Sequence, residues 1–362
     1  MTTRKQKHFV WAGVTRLAGG GASVTTAETL GGVFRLEIGD NSWQHLVTGL
    51  PDPCHVFCIT PSRADPDTIF IGTHDGPYRS CDRGASWQRM DFPQRSLAVW
   101  SIATHPTDPR QMLAGTSPIG VWRSEDGGAS WRPSRECRIA DHLDMGGFKN
   151  RVMRLAIDPS NPHNVAGAAE VNGVVVSRDG GETWRDGSDD LLRLAQIPRL
   201  RSAILTPSES EGMLDTHAMC ATPAAPGTIF LACRMGIFAS RDWGATWEDL
   251  EVGRFSEMTY GRDVRLSPHD PNVLIACLSV SSGGNTGSVC RSDDLGRTWR
   301  RIDHTVRAES TMMAVAPHPE REGTIFAAAR HGQVLGTQDN GRTWAEYRMP
   351  SGCKGVYAIA CT

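Results

Sequence analysis

No uncharged apolar run in this chain approaches the roughly 18 residues that a membrane-spanning helix needs. The apolar stretch Phe9 to Val14 is too short for a secretory core and lacks a small-residue cleavage site after it, so the expected location is the cytoplasm. An excess of one charge is also missing: 38 Lys and Arg stand against 40 Asp and Glu, a formal net charge of −2. That balance offers no field for a polyanion, and neither nucleic acid nor a membrane is an expected partner. Cysteine patterning is absent too. The 10 Cys among 362 residues are scattered without a Cys-x-x-Cys pair. This is far below disulfide-scaffold density, so mostly buried, reduced thiols are expected. No Gly-Lys-Ser/Thr follows Gly19-Gly20-Gly21, which excludes a phosphate loop. A Gly-x-Ser-x-Gly nucleophile elbow is missing as well.

Tyrosine is scarce, 4 residues against 11 Trp, and a repeat accounts for that excess. Ser80-Cys-Asp-Arg-Gly-Ala-Ser-Trp87 recurs in altered form up to Trp131, Trp184, Trp247, Trp299 and Trp344, giving S/T-x-D-x-G-x-S/T-W six times. A degraded seventh copy ends at Trp43. Successive Trp spacings are 44, 44, 53, 63, 52 and 45 residues. A unit of about 44 residues fits one four-stranded propeller blade. Asp can accept backbone N–H bonds inside a tight hairpin, Gly supplies a turn position with positive φ, and Trp buries a large ring between blades. The box residues are therefore read as structural.

These motifs resemble the Asp-box, or BNR, repeat family of β-propellers, which includes sialidases, xyloglucanases, sortilin-type receptors and photosystem assembly factors. The resemblance implies an all-β fold: one seven-bladed propeller over residues 1–362. Within unit two, Val56–Pro61, Thr68–Thr73, Gly76–Ser80 and Ser86–Met90 are the expected strands. The first unit starts at its second strand, and Gly355–Thr362 reads as the missing inner strand, so the C-terminal segment should close blade one. Histidines of the His-Pro turns, such as His105 and His318, are expected in exposed turns.

Short turns and boxes fall on one face, and the insertions, including 132–150 and 185–216, fall on the other. Rigid scaffolds present function on elaborated loops, so the axial pocket of the long-loop face is the expected site. Starts of inner strands supply His55, Trp100, Asn150 with Arg151, His217, Arg262 with Asp263, Thr311 and Lys354. Ends of the next strands supply His74, Ser117, Glu170, Arg234, Ser279, and Arg330 with His331. Loop residues His142, Asp144, Asp215, Tyr260 and Glu309 can lean in. The Asp189–Gln196 stretch has helical spacing and can form a lid, a solvated loop being the alternative.

Several chemistries fit. Arg151, Arg234, Arg262 and Arg330, with Lys354 and Trp100, can bind a small polar or anionic molecule. His55, His217 or His331 can act as acid or base, with Glu170 and Tyr260 assisting, in a hydrolase or lyase. Alternatively His55, His74, His217 and His331 can hold a divalent transition metal, although they come from different blades. The family resemblance adds a glycoside hydrolase, with Tyr260 and either Glu170 or Glu309 imitating a nucleophile pair, or a non-enzymatic binding scaffold. Phe34-Arg35-Leu36-Glu37 lacks the Pro of the sialidase motif, and one propeller cannot form the two-propeller cleft of a xyloglucanase. Oligomeric state is not read from the sequence.

Overall fold

The computed structural model describes residues 7–16, 29–137, 142–143 and 148–362. Seven antiparallel blades form, and the strand order of the first places Val356–Cys361 beside Phe9–Val14, then Gly32–Glu37 and Gln44–Leu46. The expected closure by the C-terminal strand is thus present, and Trp11 Nε1 donates to Thr362 Oγ1 at 3.0 Å across the joint. Blade two runs Val56–Pro61, Ile69–Thr73, Gly76–Ser80 and Gln88–Arg89. Its outer strand is shorter than the sequence suggests. Among the described residues no helix is long and apolar enough to cross a membrane.

The repeated octapeptide builds the same hydrogen-bonded turn six times. In the copy ending at Trp131, Ser124 Oγ donates to Asp126 Oδ1 at 2.8 Å, and Gly128 N donates back to Ser124 Oγ at 2.8 Å. Ser130 closes the turn, its N–H reaching Asp126 Oδ1 at 2.9 Å and its hydroxyl reaching Oδ2 at 2.6 Å. These donors, Ser130 foremost, pull the Asp126 carboxyl down to about 2. Such an aspartate is a fixed acceptor rather than a proton donor. Gly128 has φ +84°, and a Cβ there would lie 1.9 Å from Met90 Cε, so the position requires glycine. The residue after each box Asp also donates its N–H to the inner turn of the same blade, as Arg83 does to Asp67 O at 3.0 Å. Boxes and inner turns therefore share one face.

Each of the seven innermost strands carries one extra residue that breaks the ladder register. Val56 pairs with Thr73 and Cys58 with Gly72, which leaves Phe57 out. By the same count Trp100, Met153, His217, Arg262, Met313 and Tyr357 stand out of their ladders. Bulges of this kind re-aim a side chain. Trp100 of blade three lies 5.9 Å from Tyr357 of blade one, and Arg262 of blade six lies 5.9 Å from that same ring. Contacts between blades that are not neighbours arise only at the axis.

The insertions depart from expectation. Segment 132–137 adds a fifth strand to blade four, Glu136–Cys137 pairing parallel to Thr183–Asp186. The 185–216 segment contains the helix Asp189–Leu194, as its spacing suggests. It is no hanging lid. Leu191, Leu194, Leu200 and Met213 pack with Val174, Phe238 and Trp243. Asp190 Oδ2 also accepts the Trp247 N–H at 2.7 Å. Burying an apolar helix face between blades four and five outweighs leaving it over water.

The inner turns also correct one expectation. His105 is partly exposed and accepts the Asp108 N–H, but His318 is fully buried. Its ring lies 4.8 Å from His8. Burial, with His8 and Arg321 adding to it, holds His318 down to about 4. An unfolded chain takes up the proton that this folded site refuses, so stability is lost as pH falls from 6.5 towards 4. Scanning calorimetry across that range should show the melting temperature dropping by several degrees. His318→Ser, which copies Ser62 and Ser267 of blades two and six, should show a smaller drop.

Candidate functional site

Four consecutive blades deliver the charge at the axial mouth. Glu170 ends the second strand of blade four and pairs across its ladder with Arg151. These two side chains form an ion pair, and Arg262 Nη1 approaches Glu170 Oε1 at 3.5 Å from blade six. In blade five Arg234 Nε donates to Asp215 Oδ2 at 3.2 Å, and His217 Nε2 lies 3.2 Å from Asp215 Oδ1. Tyr260 of blade six brings its hydroxyl to 3.3 Å from the same His217 nitrogen. Arg330 of blade seven completes the set. Ligand atoms of Glu170, Asp215 and His217 all lie within 4.8 Å of one another.

Proton positions follow from these partners. His217 Nδ1 is 2.7 Å from the Gly261 carbonyl, which can only accept, so Nδ1 carries a hydrogen. Nε2 is left to serve the site. A neutral ring accepts there from Tyr260; a charged ring donates to Asp215. Burial pushes the Tyr260 phenol well up, so it remains a donor at neutral pH. Burial would also raise Asp215, but His217, Arg234 and Arg262 outweigh it and hold the carboxyl below its usual range. Burial would lower Arg262, yet the groups around it, Glu170 and Asp215 among them, hold it charged.

Aromatic side chains form the opposite wall. Phe57 stacks on Trp100 with centroids 3.9 Å apart, and the Arg151 guanidinium covers Trp100 at 4.1 Å. Tyr357 meets Phe57 at 6.5 Å, edge to face. The bulge residues Phe57 and Tyr357 escape a reading based on strand ends. A positional signal does exist. In six blades the bulged residue lies five positions before the residue opening the inner turn: Ser62, His105, Asp158, Thr222, Ser267 and His318.

Other sequence candidates sit elsewhere. His55 and His74 form a pair with rings 5.0 Å apart. Their nitrogens are used locally, His74 Nδ1 accepting the His55 N–H at 3.3 Å and His55 Nδ1 the Arg16 N–H at 3.1 Å. Burial first, then the charges of His74 and Arg16, bring His55 down to about 4. His331 and Lys354 are exposed. The set His55, His74, His217 and His331 is therefore not assembled: among the described residues the clustered potential ligands are Glu170, Asp215 and His217. Four guanidiniums around that cluster oppose a dication. His142 turns to Asp186, and Glu309 pairs with Arg348 on the surface. Asp144 lies outside the described residues.

No family model matches the chain. A curated xyloglucanase from Hypocrea jecorina is 24% identical over 353 residues, covering 81% of this chain and 40% of that protein. The chain spans less than half the length of the curated relatives it matches. A solved GH74 xyloglucanase from Xanthomonas campestris aligns with a TM-score of 0.62 at 18% identity, over 97% of this chain and 55% of that one. A structure of YCF48 bound to D1 peptide aligns at 0.56 and 15% identity, over 89% of this chain and 88% of that one. These likenesses show the propeller fold.

Proposed function

We propose that this chain is a hydrolase of the glycoside-hydrolase kind, acting on a polar, sugar-like substrate at the axial mouth. The observation that carries this reading is the Glu170, Asp215 and His217 cluster within 4.8 Å. Two carboxylates this close suit a double displacement, for which about 5–5.5 Å is usual. Glu170 attacks the anomeric carbon as the bond to the leaving oxygen breaks. The leaving oxygen takes its proton from the His217 and Tyr260 pair, since the nearby Arg234, Arg262 and His217 hold the Asp215 carboxyl below its usual range. Water then cleaves the glycosyl ester and returns a proton to His217, while Asp215 steadies the charged ring. Arg151 and Arg262 pair with Glu170 and orient it, and the half-buried Tyr357 offers an apolar face to a sugar ring. The xyloglucanase relatives support the reaction class. The six S/T-x-D-x-G-x-S/T-W turns support placing the chain among Asp-box propellers.

A second reading, a binding pocket without turnover, is favoured by one fact: each carboxylate already has a cationic partner in the chain. One experiment separates the two. Chromogenic aryl glycosides and oligosaccharides are screened for cleavage between about pH 5 and 8. Cleavage is expected, and it should fall by about 10²–10⁴-fold in Glu170→Gln and Asp215→Asn while both variants stay folded. A wild type that cleaves nothing, yet gains thermal stability from the same compounds, leaves binding as the function.

A further inference from the structure

Three of the four arginines at the axial mouth are matched by carboxylates: Arg151 and Arg262 by Glu170, and Arg234 by Asp215. Arg330 is different. It is only 9% exposed, its Nε has no hydrogen-bond partner, and no carboxylate pairs with it among the described residues. Its backbone is fixed on both sides, Arg330 N donating to Thr311 O at 2.9 Å and Val356 N donating to Arg330 O at 2.9 Å. It occupies the ladder position in blade seven that Glu170 and Arg234 occupy in blades four and five. The side chain lies within electrostatic reach of Tyr357, Arg262, Tyr260 and Glu170, so it belongs to this mouth and not to the surface.

A buried guanidinium without a counter-charge is costly. Four guanidiniums against two carboxylates leave the mouth with two uncompensated positive charges when His217 is neutral. A metal ion would worsen that imbalance, and a neutral ligand would leave it as it is. An oxyanion would relieve it, and the planar fork of Arg330 suits two oxygens at once.

We propose that the substrate of this site is an anionic sugar derivative, whose carboxylate, phosphate or sulfate group docks on Arg330, beside the Tyr357 ring. The proposal rests on the glycoside-hydrolase reading for its sugar and on Arg330 alone for its charge. With the anion on Arg330, in blade seven, the sugar extends across the axis toward Glu170 and Asp215 in blades four and five. Arg330 is thus a specificity residue, and His217 and Glu170 remain the reacting groups.

Calorimetric titration of the wild type with inorganic phosphate, inorganic sulfate and acetate probes the anion site directly. Saturable binding of at least one is expected, weakened at least about thirtyfold in Arg330→Met. Arg330→Lys, which keeps the charge but loses the fork, should recover only part of the affinity. Paired aryl glucosides and aryl glucuronides, and sugars with and without phosphate or sulfate, then identify which oxyanion is read. The anionic member should be preferred, with the preference lost in Arg330→Met. Anion binding that depends on Arg330 without any glycoside cleavage would uphold the anion site and overturn the hydrolase reading. Cleavage of neutral and anionic glycosides at equal efficiency would uphold the hydrolase and overturn the anion site. Absence of anion binding by a folded wild type would also overturn it.

Discussion

Replacing Asp263 with Ala is expected to cost about 3–5 kcal/mol of folding stability. The carboxylate is 1% exposed and sits one residue below the Arg262 bulge. Arg265 Nε donates to its two oxygens at 3.0 and 3.1 Å, and Arg154 of blade four approaches at 3.9 Å. Val315 of blade seven adds its N–H at 3.0 Å. One aspartate therefore ties blades four, six and seven beneath the mouth. Burial, together with the nearby Arg265, holds Arg154 down to about 10. Removing Asp263 strands two guanidiniums and one backbone donor. Urea unfolding should show the midpoint falling with little change in slope. Asp263→Asn keeps an acceptor for Val315 and should fall less. Equal stability of Asp263→Ala and wild type would refute the role.

Trp243→Ala should be comparably severe, at about 3–5 kcal/mol. Trp243 is 1% exposed and occupies the fourth position of its box, where other copies have Arg, Gly, Leu or Asn. Its indole crosses to blade four, donating to the carbonyls of Val165 and Ser177 at 3.3 Å each. It belongs to the same buried cluster as Leu191 and Leu194 of the 185–216 segment. Its φ of +59° means that the contact is held at the expense of backbone strain. Trp243→Gly removes that strain and should be less damaging than Trp243→Ala, by about 1 kcal/mol at most. Hydrogen exchange should locate the loss at the seam between blades four and five. Uniform loss over all seven blades would contradict it.

The architecture was legible because the octapeptide recurs at blade length, and its hydrogen bonds explain why each residue type recurs. The closing strand was legible because the first unit lacks an inner strand. The site was legible only in part. Strand ends point to Glu170, Arg234, Arg262 and His217, and the structure gathers them. They also point to His55 and His74, whose rings cap backbone donors at Arg16 beside blade one and at His55 in blade two. A histidine that caps and one that lies in the axial cluster look alike in sequence, since both stand at one end of a strand. Of the aromatic wall the strand ends point to Trp100, and its other two members were missed for another reason. A bulge has no residue signature of its own, and Phe57 and Tyr357 read as ordinary core.

The out-of-register residue in each inner strand separates two kinds of inheritance. Around the axis these positions read Tyr357, Phe57, Trp100, Met153, His217, Arg262 and Met313. None of them pairs in a ladder, so the backbone hydrogen bonds of a blade do not depend on which side chain stands there. A lineage can rewrite this seven-letter word, swapping an aromatic for an acid or an arginine for an alanine, while the boxes and ladders go on folding the same wheel. Related propellers would then share their rims and differ at their hubs.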